Sequence, residues 1–201
     1  YGRIVRFPDG SVARIVEHRD ANENQLAIQE VNSGMYVLPA PLTLDILRTV
    51  GSDNDQGEIY LTDVVAGLRQ EGERVGASLV EDPGLLLGVN SPLELAQAEA
   101  LMGERIKNGL MLAGAIIVDP GSTIVGADVT LDPGVVLRPF STLCGSTNLA
   151  AGSDIGPGTT LVDAQIGKDS VLPHCYVRAT ALEDGTRLRP FTVVDGLPEE
   201  S

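Results

Sequence analysis

The sequence predicts an α/β domain followed by a left-handed parallel β-helix, and three observations carry that reading. Strand-like and helix-like segments alternate up to about Gly114. From Val125 onward the aliphatic residues instead recur every six positions, a period that neither a helix nor a simple hairpin has. The 201 residues include 23 Gly and 12 Pro but only 3% aromatics and no Trp, so the core must be built from Leu, Val, Ile and Ala between frequent turns. At this length two small domains are expected, with enough chain to bury a core without disulfide staples.

In chain order, Gly2 to Arg6 and Val12 to Glu17 read as strands, and Pro8-Asp9-Gly10 between them makes a hairpin. Ile28 to Leu38 reads as a further strand region with a kink at Gly34. Pro41 to Val50 carries Leu42, Ile46 and Leu47 near helical spacing, and Ser52 to Gly57 is a polar loop. Glu58 to Gly72 places Leu61, Val64, Val65 and Leu68 on one helical face and ends at a glycine. Val75 to Val80 is expected as a strand. Ser91-Pro92 opens a helix with an N-cap hydroxyl, Pro at the first helical position and Glu94 three residues on; that helix is expected to reach Asn108. These lengths describe only part of an α/β domain.

The six-residue series runs Val125, Leu131, Leu137, Leu143, Leu149, Ile155, Leu161. It slips by one to Ile166, resumes at Leu172, slips again to Leu182, and continues through Leu188 to Val194. Four positions further on stand Val129, Val135, Ser141, Thr147, Ser153, Thr159 and Gln165, small or β-branched in all but the last. A triangular β-helix meets this pattern, with one short strand and one turn per hexapeptide and an aliphatic side chain stacked inside. Three hexapeptides close a coil, giving about four coils. A run of antiparallel strands is the alternative, but it favours a period of two. No terminal helix or polar cap follows, and Leu197 to Ser201 reads as a frayed tail.

A net charge of -14, from 14 Lys and Arg against 28 Asp and Glu, argues against nucleic acid and anionic membranes as partners. The longest apolar stretch, Leu110 to Val118, falls well short of the roughly 20 residues of a membrane helix. Cys144 and Cys175 are the only cysteines, which points to the cytoplasm. No signal peptide precedes Tyr1, and a chain opening on a strand interior without Met is expected to start within a longer reading frame.

Taken singly, the polar residues have ordinary explanations. Glu17 beside His18 is solvated polarity at a strand end, Asn32 before Ser33-Gly34 is a turn residue, and Asn90 belongs to a helix entrance. His174 sits in a surface turn, and Ile155-Gly156-Pro157-Gly158 is a β-helix corner, with no helix after it to cradle a phosphate. Two His and two Cys far apart argue against a zinc site.

Five short motifs change the weighing. Tyr1-Gly2-Arg3-Ile4-Val5-Arg6, Ile15-Val16-Glu17-His18, Ile28 to Gly34, Gly57-Glu58-Ile59-Tyr60-Leu61-Thr62-Asp63 and Gly88-Val89-Asn90 occur in order, ahead of the hexapeptides. Together they resemble the bacterial bifunctional N-acetylglucosamine-1-phosphate uridyltransferase / glucosamine-1-phosphate acetyltransferase. The likeness is specific from Tyr1 to about Leu112 and generic from there to Val194.

That resemblance implies residues 1–90 as the C-terminal part of a Rossmann-like nucleotide-diphospho-sugar transferase domain, 91–117 as a linker helix and connection, and 118–201 as an incomplete β-helix. It implies a nucleotidyltransferase that joins UTP to N-acetylglucosamine 1-phosphate with Mg²⁺, giving the UDP-N-acetylglucosamine of peptidoglycan and lipopolysaccharide synthesis. Carried over, the sugar-nucleotide contacts fall on the Gly2 backbone, Glu17, Asn32 and Asn90, with Asn90 also the metal ligand. A carboxylate and an amide supply the acceptors and donors that sugar hydroxyls need, and Asn90 offers a hard oxygen to Mg²⁺. The family's Gly-rich loop, phosphate-binding Lys and metal-binding Asp lie upstream of Tyr1, and its catalytic His and acetyl-CoA contacts lie in coils beyond Val194. The chain is therefore expected to hold half of one active site, none of the other, and no activity alone. Flat solenoid faces suit a homotrimer. The competing readings are a related nucleotidyltransferase of other sugar or base specificity, and a non-catalytic trimerisation module.

Overall fold

The computed structural model describes residues 1–197, which divide into two units, Tyr1–Gly88 and a second beginning at Val89. In the first unit, β1 (Arg3–Arg6) and β2 (Val12–Val16) pair antiparallel with Ile4 opposite Ile15. Their turn closes as expected: the Phe7 amide donates to the Ser11 carbonyl at 2.9 Å, and the Asp9 carboxylate accepts the Ser11 amide at 2.9 Å. A short helix α1 (Glu23–Leu26), which hydrophobic period does not reveal, is held by a reciprocal cap between Asn22 and Gln25. Helices α2 (Ala40–Leu47) and α3 (Asp63–Gln70) complete the unit.

Two small cores result. Ile4, Val12, Ile15 and Val65 form one, with Tyr36 and Val75 packed against it; Ile46, Val64 and Leu68 form the other. Burial of three or four aliphatic side chains in each, at about 1.5–3 kcal/mol apiece, sets the scale of its stabilisation.

Three expectations for this unit are corrected. The helix expected from Glu58 begins at Asp63, because the Asn54 side chain accepts the amides of Gln56 and Glu58, both at 3.2 Å, and so ties that stretch into a turn. Leu61 is accordingly left exposed. The strand expected over Ile28 to Leu38 shrinks to a bridge between Val31 and Arg3, flanked by Ile4 N–H to Glu30 O at 3.1 Å and Asn32 N–H to Gly2 O at 2.8 Å. Gly34, at φ 82°, turns the chain out of extended geometry directly afterwards. A bidentate Arg6–Glu30 pair, at 2.8 and 2.6 Å, clips this segment to β1. Val75 to Val80 forms no strand: among the described residues it has no partner ladder, and Leu79 is 75% exposed.

The second unit opens with α4 (Pro92–Leu112), capped as expected by Ser91, whose Oγ accepts the Glu94 amide at 3.2 Å. It runs one turn beyond Asn108 because Ile106, Leu110 and Met111 gain apolar burial against the solenoid. Lys107 Nζ adds bonds to the Pro120 carbonyl and to that of Thr123, the latter 3.1 Å away.

Thirteen short strands follow, from Ile116–Ile117 to Val193–Asp195, and every pairing among them is parallel. They wind as a left-handed β-helix with three faces. Ile117, Leu137, Ile155 and Leu172 stack behind one face; Val125, Leu143, Leu161, Val177 and Val194 behind the second; Leu131, Leu149, Ile166 and Leu182 behind the third. Four full turns and two faces of a fifth are present, the fifth begun by a parallel bridge from Arg187 to Val171. The ladder thus starts one rung earlier than Val125, at Ile117, and Val177 fills the gap left between Leu172 and Leu182. Residues 198–201, most of the tail read as frayed, lie outside the described residues.

The small residues between rungs are buried at the corners, where each hydroxyl finds a carbonyl. Ser141, Thr147, Ser153, Thr159 and Ser170 are all fully buried. Thr147 Oγ1 donates to Cys144 O at 2.6 Å and Thr159 Oγ1 to Leu172 O at 2.6 Å, so no buried hydroxyl is left unpaired at these corners. At the first slip Ala164, fully buried, takes the corner in place of Gln165. Asp163 there lies in the left-handed region at φ 50°, its carboxylate accepting the Ser146 amide at 2.9 Å. Gly145, in the coil below, must lack a side chain, since a Cβ would overlap that carboxylate.

Leu143 is fully buried at mid-ladder, whereas Thr142 points outward. Leu143→Asp desolvates an unpartnered carboxylate and loses about 1.5–3 kcal/mol of apolar burial. The expected outcome is lost amide protection along the neighbouring coils, with the first unit still protected and Thr142→Asp tolerated. Equal hydrogen-exchange protection of the solenoid in both variants contradicts this inward register.

Candidate functional site

The hairpin and the bridge at Val31 bring Gly2, Glu17 and Asn32 to one place. Gly2 is buried, and a Cβ built on it would lie 2.6 Å from Ile15 Cγ2 and 3.0 Å from Glu17 Oε1. Only a bare Cα lets the backbone run against that carboxylate. The Gly2 carbonyl in turn accepts the Asn32 amide at 2.8 Å, so backbone geometry alone sets Asn32 beside the start of β1.

Each side chain is braced by a residue the sequence reading did not single out. Thr62, buried just ahead of α3, donates from Oγ1 to Glu17 Oε1 at 3.1 Å. Asn32 Nδ2 donates to the Tyr36 hydroxyl at 2.6 Å, and Asn32 Oδ1 accepts the Gly34 amide at 3.1 Å. Thr62 lies inside a motif quoted for the family resemblance, whereas nothing in the local pattern of Tyr36 marks it.

Glu17 and Thr62 line an open cleft of about 460 Å³ together with Asp20, Asn54, Tyr60 and Asp63. It is acidic. Burial first, then the charges of Asp20 and Glu17, hold the Asp63 carboxyl above the usual aspartate range. Burial likewise pushes the Tyr36 phenol up, helped by the Glu17 charge and partly offset by its bond with Asn32. An arrangement of carboxylates, an amide and hydroxyls suits a hydroxyl-rich ligand.

Asn90 belongs to the second unit, exposed just ahead of the α4 cap, where its backbone amide donates to Glu94 Oε2 at 2.7 Å. Its side-chain oxygen is a single hard donor, which suits a cation that takes few protein ligands. Among the described residues no group of three or more His, Cys, Asp or Glu side chains is placed to hold a metal, and no helix is long and apolar enough to cross a membrane.

His174 lies at a solenoid corner with φ 49°, its ring stacked on Phe191 with centroids 5.5 Å apart. Cys175 is buried, its Sγ donating to Pro173 O at 3.1 Å and its thiol pushed up by burial, while Cys144 is half-buried. Gly156 and Gly158 occupy a corner as expected.

A partial α/β unit with a polar cleft, joined to a left-handed hexapeptide β-helix, defines the class: the nucleotide-diphospho-sugar transferase fold followed by a solenoid. No family model matches the sequence. Curated relatives do. The bifunctional protein GlmU of Corynebacterium aurimucosum is 40% identical over 194 residues, covering 96% of this chain and 40% of that protein. Its namesake in Streptomyces coelicolor is 46% identical over 167 residues, 83% of this chain and 35% of that protein. The Thermobifida fusca protein is 42% identical over 182 residues, 90% and 38% respectively. The chain belongs to the bifunctional GlmU family, and it spans about two fifths of the length of the relatives it matches.

The Asp63 shift has a measurable sign. A carboxyl whose folded pKa is raised costs stability as pH climbs from the ordinary aspartate range through the raised value, and the cost is absent below that range. Urea unfolding across pH is expected to show Asp63→Asn gaining on the parent chain as pH rises. Glu17→Gln is expected to move the Asp63 titration, followed by carboxyl NMR, only part of the way down, since burial remains. A pH-independent gap, or no movement of the titration, contradicts the assignment.

Proposed function

We propose that this chain supplies the sugar-side contacts of a nucleotidyltransferase that joins UTP to N-acetylglucosamine 1-phosphate, releasing pyrophosphate. The observation that carries the reading is the convergence of Glu17 and Asn32 on the Gly2 backbone, with Glu17 lining the polar cleft. In that transfer a phosphate oxygen of the sugar 1-phosphate attacks the α-phosphorus of UTP. The new P–O bond replaces the bridge to the β-phosphate, and pyrophosphate departs with the electron pair.

This chain's residues bind and orient the sugar. Glu17 accepts hydrogen bonds from sugar hydroxyls with Thr62 holding one carboxylate oxygen, Asn32 contributes its amide, and the Gly2 backbone approaches closely. The acidic cleft favours the uncharged ring over the phosphates, which is why the sugar and not the nucleotide belongs there. Asn90 would give one oxygen to Mg²⁺, and the ion supplies charge neutralisation on the phosphates when bound. The β-helix belongs to the acetyl-transfer half of the same protein, which uses acetyl-CoA, and its flat faces suit packing as a homotrimer in the cytoplasm.

The test is carried out in the chain extended to the full length of its relatives, by pyrophosphate release. Glu17→Ala is expected to raise KM for the sugar phosphate with little change for UTP, as the loss of a charged hydrogen bond worth about 1.5–3 kcal/mol requires. Unchanged constants for both substrates remove Glu17 from the site, and turnover confined to another sugar or base reassigns the substrate. Asn90→Ala is expected to raise the Mg²⁺ concentration for half activity. A flat Mg²⁺ response returns Asn90 to its role at the helix entrance.

A further inference from the structure

The Asn32 amide is held in one polarity. The Gly34 N–H can only donate, so the Asn32 atom 3.1 Å from it must be the oxygen, Oδ1. The NH₂ group is thereby turned toward the Tyr36 hydroxyl at 2.6 Å, whose oxygen accepts. Tyr36 is in turn fixed: its ring packs against the core of Ile4, Val12, Ile15 and Val65, and it is half-buried. The backbone of Asn32 is anchored independently on Gly2. One hydrogen of the NH₂ group is used by Tyr36, which leaves the second free.

We infer that Tyr36 is a positioning residue that locks the Asn32 amide beside Gly2 with one N–H left over, so that Asn32 reads an acceptor oxygen of the sugar. A freely rotating asparagine would offer donor or acceptor alike and would select neither. Held between Gly34 and Tyr36, it favours a ligand oxygen with a lone pair at that point, as a hydroxyl or an acetamido carbonyl has. The Tyr36 hydroxyl keeps its own proton, a state that burial favours first and the Glu17 charge second. This inference rests on the sugar-side reading of the cleft.

The experiment uses the full-length protein with Tyr36→Phe, Asn32→Ala, Asn32→Asp and the Tyr36→Phe/Asn32→Ala pair, measuring KM for the sugar phosphate and for UTP separately. Tyr36→Phe keeps the ring and removes only the acceptor; it is expected to raise KM for the sugar phosphate about 3- to 10-fold, the range of one neutral hydrogen bond, with the UTP value unchanged. In the Asn32→Ala background the same substitution is expected to add nothing, because its effect passes through Asn32. Asn32→Asp has the same size but cannot donate, and is expected to bind sugar phosphate as poorly as Asn32→Ala. A Tyr36→Phe effect that persists without Asn32, that falls equally on both substrates, or that is missing while Asn32→Ala weakens sugar binding overturns the positioning role. Full sugar affinity in Asn32→Asp overturns the donor assignment. Asn32→Ala with unchanged constants overturns the sugar-side reading itself, a result distinct from the others.

Discussion

One constraint governs the larger part of this protein: a parallel rung can be added only if an aliphatic side chain lands directly above the one below it. Leu143 sits over Val125 and under Leu161, and Leu149 over Leu131 and under Ile166, with only the small corner residues buried beside these stacks. The corners follow from this. A turn between rungs must reverse direction while burying its inward residue, so that residue is small, and where it is polar its hydroxyl bonds a corner carbonyl, as in Ser141, Thr147 and Thr159. Where a corner is shortened, the backbone enters the left-handed region at Asp163, and Gly145 below makes room for its carboxylate. The period-six sequence and the triangular cross-section are one fact seen along and across the chain.

The first unit has no such repeat, and its organisation depends on contacts between segments distant in sequence. Glu30 and Asn32 are drawn to β1 by backbone bonds at Ile4 and Gly2 and by the Arg6–Glu30 pair. Thr62 reaches Glu17 across 45 positions. A cleft assembled this way gains its precision from braces rather than from a stiff lattice. Glu17, which lines it, is held by Thr62, and Asn32, beside Gly2, by Tyr36 and Gly34; each bond removes a rotamer that a ligand would otherwise have to freeze out.

This difference explains what was legible in advance. The solenoid was readable almost residue by residue, because a repeat makes the same statement many times and a slip is visible against its neighbours. Even so, Val177 escaped notice, since two consecutive five-residue steps, from Leu172 to Val177 and on to Leu182, hide a rung that a six-residue count steps over. In the first unit the hairpin was legible from a three-residue turn, whereas the strands drawn at Ile28 to Leu38 and Val75 to Val80 were not real ladders. Apolar content there reflects packing of Tyr36, Leu38 and Val75 on the cores, and a strand needs a partner that composition cannot reveal. Gly2, Glu17 and Asn32 entered through family resemblance, and their shared location then followed from backbone bonds. Thr62 lies within one of the resembling motifs and Tyr36 in none, but the bracing role of each is a property of three-dimensional proximity alone.

Charge joins the two halves of the functional reading. A chain with a net charge of -14 is a poor host for a triphosphate, and the cleft adds Glu17, Asp20 and Asp63 to one surface. Such a surface disfavours phosphate and rewards hydroxyl donors, which carboxylates accept at close range without a counter-ion. On the proposed reading, selectivity for the sugar therefore begins as repulsion: the nucleotide's phosphates are turned away from the Glu17 side and toward whatever cation and basic groups the rest of the site provides. The Asp63 carboxyl is raised chiefly by burial, and the charges of Asp20 and Glu17 add to that shift. On the same reading a hydroxylated ring meets less repulsion there, and the fixed donors and acceptors of Asn32 and Glu17 are what would distinguish one ring from another.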